Sequence, residues 1–342
     1  MKFKNTLIFS TIYPLLLFLL SIKDEDIDKT FYFISNLIPK ELSDKLPHKY
    51  IYKAKTKPII KTNTKLDGYT ILLQNAFYYR YLILLQKIKW HFLKTADIYS
   101  HDHSIYTYTL INGRSFIKIE DGLEDHDEPV LKEQKKNSVI YNIKRFIWNY
   151  LLTTKYLKEK SENRAKHYII TISSNKFKKN LDLTHAWEKA SPYKKEYILN
   201  LFNLTSKEIE ILKQKKNIIF TQPFFEDGYL QTEKEKIEIY KNFIKTLNHK
   251  DIILKTHPRE KTNYKEHLPH IEIFEKAIPS ELFDLCGISF NNVYSVSSTA
   301  AFHFPITSNI KQIETGKNLI GEKLFKDLLE KRNETKYYHS SI

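Results

Sequence analysis

Cysteine is almost absent from this chain: Cys286 is the single one in 342 residues. No internal disulfide can form, and the usage fits a reducing compartment. No cysteine pair or HExxH pattern points to a structural or protease-type zinc site. Nothing repeats at a fixed period, and no low-complexity linker interrupts the chain. Long apolar runs are missing too. The opening MKFKNTLIFSTIYPLLLFLLSIK has a basic start and an apolar stretch, as a signal peptide does. That stretch is short and interrupted for a transmembrane helix, and no small-x-small cleavage site precedes Lys23-Asp24-Glu25-Asp26. The preferred reading is a buried strand, Thr6 to Ser10, then a helix, Pro14 to Ile22, with proline in its first turn. A signal anchor is the alternative.

Length and composition set the scale. The chain is long enough for two ordinary domains, and 42% hydrophobic residues exclude wholesale disorder. The net charge is +15, from 55 basic and 40 acidic residues. Such a surface favours anionic partners: nucleotide sugars, acidic glycans, phospholipid headgroups or nucleic acid. The lysines are spread and not massed in one arm, so the charge reads as a general field and not as a nucleic-acid footprint. The abundance of Lys, Ile, Asn and Tyr also fits an A+T-rich coding sequence.

Short apolar strands alternate with helical stretches. Strands are expected at Phe31 to Ser35, Ala96 to Tyr99, Ser115 to Ile119 and His167 to Ser173. Helices are expected at Tyr69 to Trp90, around Tyr106 to Ile111, and at Ser138 to Leu152. A second block has strands at Asn217 to Thr221, Asp251 to Lys255, Ile271 to Phe274, Asn292 to Ser295 and Asn309 to Ile313. Its helices are Thr232 to Leu247, Ser280 to Leu285 and Leu319 to Arg332. Alternation of this kind predicts parallel sheets covered by helices. The expected organisation is a domain over 1–180, a linker region over 181–216, and a second domain over 217–342.

Three tracts sit where strands end, which is where open α/β sheets keep their sites. Glu120-Asp121-Gly122 offers a carboxylate base, although an acidic turn is the bland reading. The acidic residues that follow, Glu124 to Glu128 with His126 among them, read as a solvated loop before a metal site. Lys255-Thr256-His257-Pro258-Arg259 follows the strand DIIL. Proline pushes His257 into an extended conformation, from which it can meet a phosphate; a surface turn is the alternative. Ser297-Ser298-Thr299 precedes Ala300-Ala301, and hydroxyls at a helix start either cap it or, with its free N–H groups, bind an anion.

Together these tracts resemble the GT-B bacterial sialyltransferases, the group covering glycosyltransferase family 52 and the capsular polysialyltransferases of family 38. Those enzymes carry a D/E-D/E-G motif, an H-P motif and a serine pair in this order. The segment IIFTQPF, the segment Ile278-Pro279-Ser280-Glu281 and the opening TLIFSTIYPLLLFLLS are similar as well. The likeness covers most of the chain and is thin outside the motifs. The loop around Ile12-Tyr13 departs from the family's usual sequence, which leaves the acceptor open.

The resemblance implies an α/β fold of the GT-B type, two Rossmann-like domains with a central cleft. It implies an inverting transfer of sialic acid from CMP-sialic acid to a galactoside or sialoside of a bacterial surface glycan, lipooligosaccharide or capsule. Glu120 would be the general base, with Asp121 its rival or orienting partner, and His257 the acid or phosphate ligand. Lys255 and Glu281 would hold the cytidine part, and Ser297 and Ser298 the phosphate, beside Pro258. Neither a cofactor nor a metal would be required. A free glutamate ionises near pH 4.3, so the base would be charged at neutral pH. The expected partners are a nucleotide-sugar donor, a glycan acceptor and the inner face of the plasma membrane, met electrostatically from the cytoplasm. No nucleic acid is expected, and a homodimer is left open. The rivals are another GT-B transferase using a different nucleotide sugar, and a non-catalytic basic protein that binds membrane or glycan.

Overall fold

The computed structural model describes residues 2–53, 81, 83–101, 105–111, 114–120, 165–169, 181–305 and 307–339. The chain divides into two compact units, Met1–Lys195 and Glu196–Ile342.

In the first unit, β1 (Asn5–Phe9) is buried along its whole length. It lies in a six-stranded sheet with β2 (Thr30–Ser35), β3 (Lys49–Tyr52), β4 (Asp97–Ser100), β5 (Phe116–Ile119) and β6 (Ala165–Ile169), in the order β3-β2-β1-β4-β5-β6. Every pairing is parallel. Strands buried on both faces read as continuous apolar runs, as in TLIF and FYFIS. The strand order reverses between β1 and β4, which is the switch point of a Rossmann-type sheet.

Helix α1 (Tyr13–Ser21) follows β1 and carries Pro14 in its first turn. Leu15, Leu16, Leu17, Phe18 and Leu19 have no exposed surface. The Phe18 ring packs edge-on against Tyr99 and Tyr32, at 4.9 and 6.3 Å. A nine-residue helix spans about 14 Å, half of a hydrocarbon core. Among the described residues no helix is long and apolar enough to cross a membrane. The opening stretch is therefore a core element.

Helix α2 (Lys40–Lys45) and strand β3 were not legible in the sequence. KYIY has no clean alternation, and its strand state comes from parallel pairing with β2. Helix α3 (Ile105–Ile111) falls where expected. Residues 83–89 are helical, within the helix expected at Tyr69 to Trp90. The helix expected at Ser138 to Leu152, the residues 170–173 of the strand expected at His167 to Ser173, and most of the residues 69–82 lie outside the described residues.

Three helices, α4 (Leu183–Lys189), α5 (Pro192–Leu201) and α6 (Ser206–Lys213), occupy the stretch read as a linker. Helix α6 opens on a capping box, in which the Thr205 hydroxyl accepts the Glu208 N–H and the Glu208 carboxylate accepts the Thr205 N–H. Thr205-x-x-Glu208 ahead of an apolar spacing is a readable helix start.

The second unit has a five-stranded sheet of β7 (Asn217–Phe220), β8 (Ile252–Lys255), β9 (Glu272–Phe274), β10 (Asn292–Ser295) and β11 (Asn309–Gln312), in the order β11-β10-β7-β8-β9. All pairings are again parallel, and the order reverses between β7 and β10. Helix α7 (Glu233–Ile244) is capped by the Thr232 hydroxyl and packs Ile237 and Tyr240 onto Ile219, Leu254 and Tyr294. Helices α8 (Tyr264–His267), α9 (Glu281–Leu285) and α10 (Glu322–His339) complete it. The last is longer than expected.

If α1 is a core helix, Leu16→Ala should destabilise the protein by about 2–5 kcal/mol, as buried leucine truncations do. Urea unfolding measures it, and a loss under about 0.5 kcal/mol, typical of exposed positions, would refute the burial.

Candidate active site

In the second unit the chain leaves β7 as Thr221-Gln222-Pro223 and leaves β10 as Val296-Ser297-Ser298, on either side of the strand-order reversal. Gln222 joins the two. Its side-chain oxygen accepts both the Ser297 N–H and the Ser297 hydroxyl, each at 2.9 Å. Its own N–H donates to the buried Tyr240 hydroxyl at 2.9 Å. The Ser297 Oγ also lies 2.9 Å from the Ile320 carbonyl. Gly321 backs this contact at φ +81°, where a Cβ would come within 3.0 Å of the Ser297 Cβ. Only glycine fits both demands.

The serine pair opens a short 3-10 helix where the sequence suggested a helix start, with Ser298 at its N-cap. A five-residue 3-10 turn, Thr299–His303, follows it, and the Ser298 side chain makes no capping bond. The Ser298 N–H donates to the Ser295 hydroxyl at 2.7 Å, so side chains have captured the N–H groups of both serines. The Ser298 hydroxyl makes no hydrogen bond among the described residues and lines a pocket of about 280 Å³ with Gln222, Tyr229, His257, Arg259 and Ser297.

His257 follows β8 by two residues. Its N–H donates to Glu260 Oε2 at 2.8 Å and lies 3.2 Å from the Thr221 hydroxyl. Its ring Nδ1 accepts the Arg259 N–H at 3.2 Å, which leaves the proton of a neutral imidazole on Nε2. Burial lowers the His257 pKa to about 3, helped by the positive charges of Arg259 and Lys255. The ring is thus a neutral hydrogen-bond donor at pH 7. Arg259 is exposed and pairs with Asp227 at 2.5 Å.

Under this loop lies a buried charge network that sequence reasoning missed. Lys236 on α7 has no exposed surface and meets Glu226 at 2.7 Å and Glu260 at 3.2 Å. Glu260 also accepts the Tyr264 hydroxyl at 2.8 Å and the Thr221 hydroxyl. Burial pushes the Glu226 carboxyl up, yet hydrogen bonds from Lys236 and the Lys261 N–H hold it below its ordinary value. Lys236 sits at a helix position that amphipathic patterning assigns to the core, which was its one signal.

Lys255 and Glu281 do not line the pocket. Lys255 is buried at the end of β8, its ammonium 5.9 Å from the Phe220 ring centroid. Burial lowers its pKa to about 8, against the opposing pull of Glu281 and Glu260. Glu281, buried at the start of α9, lies 3.1 Å from His303 Nδ1. Pro258 is exposed. The structure thus brings His257, Ser297 and Ser298 together, with Lys255 and Glu281 behind them.

In the first unit Glu120 directly follows β5. Its N–H extends the ladder to the Ile169 carbonyl at 3.0 Å. Its side chain is buried, and the Tyr13 hydroxyl donates to Oε1 at 3.2 Å. Beside it, at the end of β4, His101 is fully buried; Nε2 accepts the Ser10 N–H at 2.8 Å and lies 3.0 Å from the Ser10 hydroxyl. Glu120, His101, Ser10 and Tyr13 thus gather at the carboxyl ends of β5, β4 and β1. The position of His101, just past a predicted strand, was the signal that could have found it. Asp121, Gly122 and the acidic run Glu124 to Glu128 lie outside the described residues. Among the described residues no group of three His, Cys, Asp or Glu side chains could hold a metal ion.

Two parallel sheets of Rossmann order, each with its polar residues at the switch point, define an α/β fold of the GT-B type. The solved structure of a sialyltransferase from Photobacterium damselae, residues 113–497 corresponding to its GT-B domain, is similar: TM-score 0.51, 13% identity, 89% of each chain covered. An α/β-galactoside α-2,3-sialyltransferase from Photobacterium phosphoreum gives a TM-score of 0.43 at 13% identity, covering 91% of this chain and 90% of that one. The model of glycosyltransferase family 52 matches residues 34–315, and the chain belongs to that family. An uncharacterised protein of Haemophilus influenzae is 31% identical over 252 residues, covering 73% of this chain and 78% of the other.

Two measurements check this geometry. Lys236→Met should cost about 3–5 kcal/mol, because Glu226 and Glu260 lose their buried counter-ion; adding Glu260→Gln should restore part of it in urea unfolding. The second concerns acid. The unfolded chain protonates His257 near pH 6.5 and the native state only near pH 3. Between those values the unfolded state binds more protons, so stability falls as pH falls. His257→Gln should flatten that part of the stability profile, and an unchanged profile would contradict a buried neutral ring.

Proposed function

We propose that this glycosyltransferase is an inverting sialyltransferase, using CMP-sialic acid as donor and a terminal galactoside or sialoside of a bacterial surface glycan as acceptor. The observation that carries the reading is the pocket at the β7–β10 switch point. There the neutral His257 and the Ser298 hydroxyl present donors beside the Arg259 guanidinium, at the place where such sheets bind nucleotides. Resemblance of the three motifs to the sialyltransferase pattern selects CMP-sialic acid among nucleotide sugars.

In the proposed reaction an acceptor hydroxyl oxygen bonds to the anomeric carbon of the sialic acid as the bond from that carbon to the CMP phosphate oxygen breaks. The electron pair of that bond leaves with the phosphate. His257 Nε2–H and the Ser298 hydroxyl donate hydrogen bonds to the phosphate, and the charge of Arg259 and of Lys255 behind them favours its growing negative charge. Burial keeps His257 from acting as an imidazolium before the donor binds; the arriving phosphate raises its proton affinity, which suits hydrogen bonding with late proton donation. Lys255 and Glu281 serve the cytidine end through their charge, from behind the pocket lining. Glu120, held by Tyr13, takes the acceptor proton, with Asp121 its companion. These residues supply the charge that the step needs, so it is expected to run in the presence of a chelator. The single cysteine fits work in the cytoplasm.

One assay tests the reading. Millimolar CMP should raise the melting temperature, and CMP-sialic acid should be consumed with a panel of galactosides and sialosides. Glu120→Gln and His257→Ala should each lower turnover at least about a hundredfold while remaining folded. If another nucleotide stabilises the protein and CMP does not, the donor assignment fails. Full activity in either variant removes that residue from the mechanism.

A further inference from the structure

The pocket that holds His257 and Ser298 has an apolar lip that the phosphate chemistry does not use. Tyr229 and Ile320 line it and are 47% and 55% exposed. Both lie among the described residues together with their sequence neighbours. Single exposed apolar side chains are ordinary. Two that share one pocket with convergent polar groups have the make-up of a ligand site.

Their exposure is imposed by the loops that carry them. In the turn after β7 the Asp227 N–H donates to the Pro223 carbonyl at 2.8 Å, the Gly228 N–H to that of Phe225 at 3.0 Å, and the Tyr229 N–H to that of Phe224 at 2.8 Å. Phe224 and Leu230 are buried in the core on either side, and Glu226 is held by Lys236. Gly228 turns the chain at φ +79°, where other residues are strained. Tyr229 is thus presented outward between two buried anchors. Ile320 is held in a similar way. Buried Leu319 precedes it, its carbonyl accepts the Ser297 hydroxyl, and Gly321 follows in a left-handed conformation. Folding buries neither side chain, and both are fixed at the pocket before any ligand arrives.

The neighbours select the occupant. In the proposed reaction His257 and Ser298 bind the phosphate inside this same pocket of about 280 Å³. A surface so close to the phosphate meets a group covalently joined to it. Lys255 and Glu281 serve the cytidine end from behind the lining, which leaves the sugar. A pyranose ring carries C–H groups on its faces and polar groups around its edge. Its C–H groups suit an aromatic ring, whose face is electron-rich, and the alkyl chain of Ile320. Its polar edge suits the paired Asp227 and Arg259, which line the pocket too. We propose that Tyr229, with Ile320, forms the platform for the sugar that the donor transfers. The inference rests on the donor reading above and adds the subsite that tells the sugar from its nucleotide.

Calorimetric titration of the full chain with CMP and with CMP-3-fluorosialic acid tests it. The fluorine disfavours positive charge at the neighbouring anomeric carbon, so this donor analogue persists during the measurement. The wild type should bind the analogue more tightly than CMP. Y229A should lower the affinity for the analogue about tenfold and that for CMP less than about twofold, with an unchanged melting temperature. Y229F keeps the ring and should recover most of the loss. I320Q should weaken the analogue in the same selective way. Equal losses for CMP and the analogue in Y229A would place the ring against the nucleotide and overturn the proposal. An analogue affinity untouched by both Y229A and I320Q would overturn it as well. If the wild type binds neither compound, the donor reading itself fails and the subsite falls with it.

Discussion

A parallel sheet covered on both faces leaves polar chemistry only at the ends of its strands, and this constraint shapes both units of the protein. The strands are apolar because neither face meets water. Each backbone is satisfied within the ladder, so a side chain that must meet a ligand has to come from the first residues after a strand. Ser10, His101 and Glu120 occupy those positions in the first unit. Gln222, His257 and Ser297 occupy them in the second. At the switch point the connections depart to opposite sides, which opens space between neighbouring strand ends. The pocket bounded by Gln222, His257 and Ser298 lies there.

Rigidity at that pocket comes from charge buried below it. The Lys236 ammonium has no solvent at all and is tolerable only because two carboxylates surround it. Glu260, held by that ammonium and by two hydroxyls, accepts the His257 N–H and so fixes the backbone from which the imidazole projects. The ring is turned by the Arg259 N–H on Nδ1, which commits Nε2 as the donor. An imidazole in this position serves an arriving anion without first carrying a charge that burial would oppose. Gln222 does the equivalent for the serine pair by engaging Ser297, so that Ser298 alone keeps a hydroxyl for the pocket.

Much of this frame is legible in the chain. Short continuous apolar runs at Leu7-Ile8-Phe9, Phe31 to Ile34, Ile218-Ile219-Phe220 and Ile252-Ile253-Leu254 mark buried strands whatever their neighbours are. Pro14 after a polar break marks a helix start, and DIIL ahead of Lys-x-His-Pro marks a strand end with a basic loop. Elements whose state depends on a partner were not legible. KYIY is a strand because β2 offers it a ladder. The N–H groups of Ser297 and Ser298 are taken by the side chains of Gln222, distant in the chain, and Ser295, close by, and no motif announces either bond. The three helices between 183 and 213 were partly readable, since Thr205-x-x-Glu208 announces one of them.

The sequence by itself determined the class of fold, the order of the motifs and the residue types at the strand ends, because these follow from local burial patterns and backbone geometry. Only the tertiary structure decided the state of those residues. The neutrality of His257 comes from desolvation together with Arg259 and Lys255. The engagement of Ser297 requires Gln222 from the loop after a different strand, and the setting of Lys255, at a strand end, requires Glu281 from a helix. Each of these is an energy of proximity between residues distant in the chain, and no local pattern encodes it.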